Sequence, residues 1–450
     1  MEVFIVQSKE IEGRIDSLPY HPVRIRAVKR VKSSKFPLFP LKEVVEFRRE
    51  LVTTNPDNLP YVGLENIESD TGRFLESEEK KEDFGTAAKF NKGDLLFPKL
   101  RPYLNKVHMA EFEGVCSTEF YVLKSMKCNN KYLFAFLNSK IVVDQTTYLM
   151  TGNTLPRLQT EDVEKIHIPI PPLETQQKIV RLMDDAYAEK RKKKEEARQL
   201  TNSINNVLDD IGISLPKTQS KKCYAVHSNE ASSRLDPFYY KPEFIEFDQN
   251  IKKSGVNFKR LDEVAKVICG PFGSSITVKD YLETGVPLIR IQDINENKEI
   301  SMENLVYVSE KLAEELKNYR VKENDLIISQ RGTLGLTARI PKSLAGAIIS
   351  ANFIAIKDVH KELLSDFLDI FLSSEYGKIQ LIRHTSGQIQ TKITTDDVKS
   401  IKIPIPPLAV QNRIASEVRS RMEKADSLRR EAASALVSAR SSVEGLILGT

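Results

Sequence analysis

The chain has 450 residues, enough for two or three domains, and its 40% hydrophobic and 29% charged residues indicate a folded, soluble protein. Its net charge of +5 is only mildly basic, which permits nucleic-acid binding without requiring it. The four cysteines, at positions 116, 128, 223 and 269, form no CxxC pair, which argues against a zinc cluster or a disulfide framework. Because no apolar stretch is long enough to cross a bilayer and no signal pattern opens the chain, we expect a cytoplasmic protein without membrane contact.

Residues 1–172 are predicted to form a first mixed α/β domain. Apolar and β-branched runs at 61–67, 94–97 and 115–124 are typical of strands, and residues 129–138 carry apolar side chains on one face, as a helix does. A polar turn at 151–154 precedes Arg157 and a short helix that begins with an N-cap arrangement at Thr160. The domain ends in the hexapeptide IPIPPL at 168–173, which must be extended because proline disfavours helix in the residue before it.

A long helix is predicted over 173–213. Its apolar residues recur mostly at spacings of three and four, or sums of these, which over such a length is typical of a coiled-coil helix. Residues 214–224 contain a proline and several lysines, and we interpret them as a linker.

The same order of elements returns in the second half of the chain. The hexapeptide recurs at 403–408, 235 residues later, while the matched tripeptides RID at 14–16 and RLD at 234–236 lie 220 residues apart. The offset only grows along the chain, as a few insertions in a second copy would produce. The pattern predicts a tandem duplication, with a second α/β domain at 225–407 and a second long helix at 408–448. Within that domain we expect strands at 288–294, 325–329 and 348–356 and a helix at 363–372.

These repeated features resemble the specificity subunit of type I restriction-modification enzymes from end to end. The resemblance rests on the doubled hexapeptide, which we call the connector, with Gln176 or Gln411 shortly after it. It also rests on a polar turn with a glycine, at 151–154 and again at 386–392, followed each time by Thr-(Glu/Asp)-Asp-Val, and on the long helix after each connector. One departure is visible, since Thr175 and Val410 stand where the family often has glutamate.

The resemblance implies a duplicated α/β (α+β) fold, with two globular target recognition domains separated by two long antiparallel coiled-coil helices. Each domain would read one half of a split site in double-stranded DNA, and the helices would set the gap between the halves. By the same resemblance, methyltransferase subunits, two of them, would dock on the helices, and restriction or translocase subunits would join through those. S-adenosylmethionine, ATP and magnesium would belong to the partners, so that this chain would bind no cofactor and catalyse no reaction itself.

Loop chemistry differs between the two copies, as expected of two modules that read different sequences with one frame. Base edges are best read by arginine, lysine, asparagine and glutamine, with arginine favouring guanine and asparagine or glutamine favouring adenine, so polar residues of the loops are the candidates for DNA contact. Each could equally be a solvated loop residue or a phosphate contact. The candidates are Lys99, Arg101, Asn153, Thr154 and Arg157 in the first domain, and Gln330, Arg331, Gln388, Gln390 and Lys392 in the second.

The sequence also has three other interpretations. A two-headed scaffold that joins two protein partners, with no DNA role, stays open as the alternative, and steep salt dependence of binding would separate it from a DNA-binding subunit. Asp57 and Glu78 imitate part of a magnesium-dependent nuclease, but Glu78 belongs to an ordinary charged run. The basic run at 190–194 is interleaved with glutamates, and we interpret it as a solvated helix face with i,i+4 ion pairs.

Overall fold

The computed structural model describes residues 17–54, 59–76, 85–152, 155–217, 224–225, 236–295, 298–331, 335–385 and 392–449. The chain divides into two compact units, one made of residues 1–195 with 428–450 and the other of residues 196–427. Each unit is a globular α/β domain together with part of each long helix. None of the helices among the described residues is both long and apolar enough to cross a membrane.

The helices and strands of the first half of the chain alternate as a mixed domain followed by a long helix. In order they are α1 (Pro22–Lys32), β1 (Leu38–Pro40), α2 (Leu41–Val44), β2 (Val45–Arg48), β3 (Leu51–Val52), β4 (Tyr61–Val62), β5 (Ala87–Phe90), β6 (Leu95–Pro98), β7 (His108–Met109), β8 (Gly114–Ser117), β9 (Phe120–Ser125), α3 (Asn130–Leu137), α4 (Lys140–Thr146), α5 (Thr160–Glu164), β10 (His167–Pro169), α6 (Leu173–Asn202) and α7 (Ile204–Asp209).

The second half repeats this order with local differences. Its elements are α8 (Pro242–Lys253), β11 (Phe258–Arg260), α9 (Leu261–Val264), β12 (Lys266–Cys269), β13 (Val286–Ile289), β14 (Val306–Val308), α10 (Glu310–Glu315), β15 (Leu326–Ser329), β16 (Thr337–Arg339), β17 (Ile348–Ile349), β18 (Phe353–Lys357), α11 (Ser365–Ser373), α12 (Glu375–Arg383), α13 (Thr395–Lys399), β19 (Lys402–Pro404) and α14 (Leu408–Leu448).

Matched sheets confirm the duplication. The first domain has a four-stranded sheet in the order β2-β9-β6-β7, and the second has β12-β18-β15-β16. A second sheet accompanies each, β3-β5-β8-β4 in the first domain and β14-β13-β17 in the second, with one parallel pair in each. The connectors close both domains in the same way, because β10 pairs antiparallel with β1 as β19 pairs with β11.

Side chains on the two faces of the central strands form two hydrophobic cores in the first domain. Leu95 and Leu123 pack with Phe136 of α3, whereas the intervening Leu96 and Val122 pack in a separate cluster with the second sheet. Successive side chains of a strand point to opposite faces, so each central strand is apolar throughout. The second domain repeats the arrangement, with α11 on one face of its central sheet.

The long helices pack antiparallel within each unit. In the first unit, Lys193 of α6 pairs with Glu431 of α14, while Met183, earlier in α6, packs in one cluster with Val443, later in α14. The packing is also antiparallel in the second unit, because residue 421 of α14 bonds to residue 203, whereas the earlier α14 residue 413 bonds to the later residue 210. Lys193 also pairs with Glu189 at 3.0 Å, an i,i+4 ion pair of the kind predicted for the basic run. It is not part of a solvated face, however, because only 23% of its side chain is accessible where it meets α14.

The region predicted as one helix over 173–213 is interrupted at Ser203, between α6 and α7. The local sequence explains the break, because serine and asparagine compete for backbone hydrogen bonds in helices. The Ser203 hydroxyl donates to the Leu200 carbonyl at 2.8 Å, and the Ser203 carbonyl accepts from Arg421 at 2.9 Å. The Ser203 N–H still donates to the Gln199 carbonyl at 2.9 Å, so the interruption is confined to one turn.

Two predicted strands are shorter than expected, for one shared reason. In place of strands over 61–67 and 288–294, β4 ends at Val62 and β13 at Ile289, and a 3-10 turn follows each. In each turn a side chain captures the backbone N–H three residues earlier, from Gly63 to Asn66 at 2.9 Å and from Arg290 to Asp293 at 2.8 Å. Such local bonds end a strand.

Two further local expectations need correction. The predicted strand over 115–124 is two strands, β8 and β9, and that over 348–356 is likewise β17 and β18. The N-cap of α5 is Gln159, so Thr160 is the first helical residue, and no side-chain bond caps this helix. In the second domain the equivalent helix, α13, is capped by Thr394, whose hydroxyl accepts from the Asp397 N–H at 3.2 Å.

Candidate nucleic-acid interface

In the first domain the two candidate segments lie side by side, although about fifty residues separate them in the sequence. The segment after β6 accepts a hydrogen bond at the Lys99 carbonyl from the Leu158 N–H, at 2.9 Å, and Leu100 forms a β-bridge with Arg157. Arg157 and Thr151 exchange two backbone hydrogen bonds of 2.9 Å across the polar turn. The structure therefore brings both candidate segments to the carboxyl end of β6.

The second domain repeats this junction. The Gln330 carbonyl, directly after β15, accepts from the Ile393 N–H at 3.2 Å. Gln330 matches Lys99 with the offset 231, and Ile393 matches Leu158 with the offset 235, so the same backbone bond occurs in both copies. We call these two places the first and the second loop junction. Each brings together those candidates of its own domain that the structure describes, at one end of the central sheet.

Lys99 holds the first junction together. Its ammonium donates to the Thr118 carbonyl at 2.7 Å and lies 4.8 Å from the centre of the Tyr121 ring. Burial lowers the pKa of Lys99, against the opposing effect of the Glu119 carboxylate. Because these contacts engage its ammonium group, Lys99 stabilises the conformation of the loop.

Arg157 is also engaged within the domain. Its guanidinium binds the Glu119 carboxylate with two N–H groups, at 2.8 Å from Nε and 2.7 Å from Nη2. The hydrogen bond from Arg157 lowers the pKa of Glu119, and the same bond raises the pKa of Arg157. A bidentate pair of this geometry fixes the orientation of both planes. The guanidinium nevertheless keeps an exposed edge, since 42% of the Arg157 side chain is accessible.

Arg101 differs from these two because its side chain faces solvent. The residue has φ of 50°, in the left-handed region, and precedes a short 3-10 turn in which Tyr103 is 49% exposed. Left-handed backbone is uncommon outside glycine and marks a constrained loop. The first junction therefore presents one exposed arginine beside an exposed tyrosine.

Gln330 has the role in the second junction that Lys99 has in the first. Its buried amide donates to the Phe353 carbonyl and to the Cys269 sulfur, both at 3.0 Å. Arg331 and Lys392, by contrast, are exposed. The remaining candidates, Asn153, Thr154, Gln388 and Gln390, lie outside the described residues.

Comparison with known proteins identifies the family. The model of the family described as "Type I restriction modification DNA specificity domain" matches twice, over residues 34–202 and 253–424. The chain belongs to this family. Its two matches fall on the two halves of the duplication, and each includes one loop junction.

Curated relatives of this specificity-domain protein carry matching names. It is 26% identical over 214 residues to the EcoDI specificity subunit, a type I restriction enzyme component of Escherichia coli, covering 45% of this chain and 48% of that protein. It is 22% identical over 286 residues to the EcoBI specificity subunit of the same organism, covering 63% of this chain and 57% of that protein. These matches span about half the length of the two relatives.

A solved structure shows the same fold. The specificity-domain protein superposes with a TM-score of 0.56 and 20% identity on a chain from work on complex assembly and conformational transition of the type I R-M system, covering 92% of this chain and 97% of that one. The family match disfavours the two-headed scaffold without a DNA role, because the matching family is a DNA specificity domain.

Reasoning from sequence missed two features of the junctions. Glu119, the partner of Arg157, was not singled out, and its place just before β9 was the available signal. Phe272, beyond the end of β12, is 83% exposed and was also missed, although the sequence Gly-Pro-Phe-Gly marks a turn that presents an aromatic residue. Among the described residues, no group of three or more His, Cys, Asp and Glu side chains could hold a metal ion, and both Asp57 and Glu78 lie outside those residues.

Proposed function

We propose that this chain is the sequence-specific DNA-binding subunit of a type I restriction-modification complex, and that it recognises a two-part site in duplex DNA. One observation carries the proposal: the same backbone bond, onto the carbonyl of Lys99 in one domain and of Gln330 in the other, joins two diverged loops at the same place in each copy. A repeated frame with unlike loops is the arrangement expected of two readers with different specificities.

The side chains at the junctions suit duplex DNA. Arg101 in the first domain, and Arg331 and Lys392 in the second, are exposed and basic. Such groups bind phosphates without regard to sequence, and arginine also reads guanine through its O6 and N7 atoms. Lys99 and Gln330 keep the strand ends and loops in place by their own bonds, so they support the readers from within the frame.

The long helices would set the gap between the two parts of the site. At about 1.5 Å per residue, a helix of the length of α14 extends about 60 Å. One turn of duplex DNA is about 34–36 Å, so a helix of this size is long enough to separate two readers by a full turn. A fixed helical spacer would make the gap a property of the protein.

We further propose that partner subunits supply the chemistry. Two methyltransferase subunits would bind this chain, restriction or translocase subunits would join through them, and S-adenosylmethionine, ATP and magnesium would be bound by the partners. This chain would then be non-catalytic. The relatives named above are specificity subunits of type I restriction enzymes, which supports this division of labour. We also propose that the complex works in the cytoplasm, where the free thiols of Cys116, Cys128 and Cys269 would stay reduced.

The decisive experiment is selection from a randomised duplex pool with the full chain and whatever co-purifies from its host. We expect two short fixed blocks around an unread gap. Binding to the selected duplex should weaken steeply with salt, with a slope in log–log form of about −0.9 per phosphate contact. No enriched sequence, or binding that salt does not affect, would refute the proposal.

Single substitutions then assign the blocks. R101A should relax the first block only and R331A the second only, because each arginine belongs to one junction. K124A is the matched control, since Lys124 is exposed near the far end of β9 from the junction. Equal effects of the three variants would show that the loop junctions do not read DNA.

A further inference from the structure

The segment between β12 and β13 presents a phenyl ring to solvent. Phe272 is 83% exposed, the highest value among the exposed large apolar residues of the described part of the chain, and Val278 in the same segment is 77% exposed. A phenyl group in water forgoes the free energy that burial would provide. Exposure of this degree calls for an explanation from the loop itself or from a partner.

The base of the segment is rigid. The Gly270 N–H donates to the Phe353 carbonyl at 2.8 Å, and a side chain at Gly270 would meet the Ser350 carbonyl at 2.3 Å. Pro271 fixes the next φ angle, and Phe272 itself has an unstrained backbone with φ of −59° and ψ of 144°. The Phe272 carbonyl accepts from the Ser275 N–H at 2.8 Å. The ring is therefore carried outward by a defined turn.

This turn belongs to the second loop junction. The Gln330 amide donates to the Cys269 sulfur at 3.0 Å, three residues before Phe272, while the Gln330 carbonyl accepts from Ile393. The exposed residues Arg331 and Lys392 are chain neighbours of these two. Because β12 and β15 both end beside the start of β18, the apolar ring and the basic side chains belong to loops at the same end of the central sheet.

The residues that the structure describes directly after β2 take a different course in the first domain. After β2 ends at Arg48, the chain enters β3 at Leu51, which pairs with Ala88 of β5. The segment after β12 is thus one of the differences between the two copies of the frame. Residues that differ between the two junctions are those expected to give the two domains different DNA specificities.

We propose that Phe272 makes an apolar contact with the bases in the part of the DNA site that the second domain reads, which rests on the proposed function. Duplex DNA offers apolar surface in two forms, the methyl group of thymine in the major groove and the face of a base exposed when a step is unstacked. Phosphates offer none. The basic neighbours of Phe272 would meet the backbone while the ring meets the bases.

The test uses the full chain with its co-purifying partners and the duplex that the wild type selects. F272A should weaken binding about tenfold and relax the second block, whereas F272L should retain most of the affinity because it keeps an apolar side chain. The salt slope should be the same for wild type and F272A, since no phosphate contact is lost. M126A is the control, because Met126 is 61% exposed and directly follows β9 at its far end from the first junction.

Two labelled duplexes distinguish the two forms of apolar surface. If the ring meets a methyl group, replacing one thymine of the second block by uracil should weaken wild-type binding and leave F272A unaffected. If the ring enters a base step, 2-aminopurine in the second block should brighten on binding wild type and not F272A.

The outcomes separate the two levels of the proposal. A wild type that selects no split motif refutes the proposed function. A wild type that selects one, with F272A binding and selecting as the wild type does, refutes the role of Phe272 alone. F272A that binds DNA normally but loses a co-purifying protein assigns the ring to a protein contact and equally overturns the inference.

Discussion

Replacing Gln411 by alanine should destabilise the second domain by about 3 kcal/mol. Gln411 is completely buried near the start of α14. Its amide nitrogen donates to the Pro406 and Glu362 carbonyls, both at 2.8 Å, and its amide oxygen accepts from the Leu364 N–H at 2.8 Å. One side chain thus ties the proline connector to the chain just before α11.

The magnitude follows from these three bonds. A net intramolecular hydrogen bond contributes about 1 kcal/mol, and a buried group left without a partner costs about 1–3 kcal/mol. In the first domain Gln176 makes two of the equivalent bonds, to the Pro171 carbonyl and from the Asn129 N–H, so Q176A should cost about 2 kcal/mol. N412A is the control: Asn412 is exposed and makes one bond, to the Leu408 carbonyl, and its loss should cost at most about 0.5 kcal/mol.

Hydrogen exchange measures the local part of this effect. In Q411A the Leu364 amide loses its acceptor, so its hydrogen exchange should accelerate. Urea unfolding should show the largest loss of stability for Q411A, a smaller loss for Q176A and the smallest for N412A. Urea unfolding that gives Q411A and N412A the same stability, with unchanged exchange at Leu364, would refute the view that the connector glutamines hold the helix starts.

Three further outcomes are expected. Replacing Asn153 and Arg157 together should weaken or relax only the first block of the DNA site in a selection experiment, and equal change in both blocks would contradict the assignment of domains. Removing seven residues from each long helix should shorten the unread gap by about three base pairs, at about 1.5 Å per helical residue and about 3.4 Å per base pair, and an unchanged gap would refute the role of the helices as a spacer. D397N should lower the free energy of unfolding by about 2 kcal/mol at pH 7: burial alone would raise the pKa of Asp397, but hydrogen bonds from His384 and Thr394 outweigh it and hold the pKa at about 2. Because the folded pKa is lower than the unfolded one, the wild-type advantage is complete above about pH 5 and should shrink as the pH falls towards 2, which denaturant unfolding at several pH values would show.

The duplicated frame could be predicted because it depends on local signals that repeat. Proline in both connectors forces extended chain, and three-four apolar spacing continues for many residues afterwards, so β10, β19 and α14 lie where they were predicted and α6 begins where it was predicted. The predicted strands β6 and β15 follow Asp94 and Asp325, which match with the offset 231, and the structure confirms both strands. Because each local signal occurs in both copies, the two occurrences support the same prediction.

Side-chain partners could not be predicted, since they depend on contacts between distant parts of the sequence. Arg157 meets Glu119 across 38 residues, and Ser203 meets Arg421 across 218. The early end of β4 has a local cause, the bond from the Gly63 N–H to the Asn66 side chain. This bond competes with strand pairing, and which of the two forms depends on the rest of the folded chain. Residue type therefore indicated which loops are polar, while the structure shows which polar groups are already in use.

The two junctions solve one structural problem with different chemistry. Lys99 donates to the Thr118 carbonyl and Gln330 to the Phe353 carbonyl, so in both domains the first residue after a central strand bonds to the chain around the start of the neighbouring strand. A frame position needs only a donor of sufficient length, which is why lysine and glutamine can exchange there. Sequence specificity must then come from residues farther along each loop, and substitutions at Lys99 or Gln330 should disturb loop geometry without changing which bases are preferred.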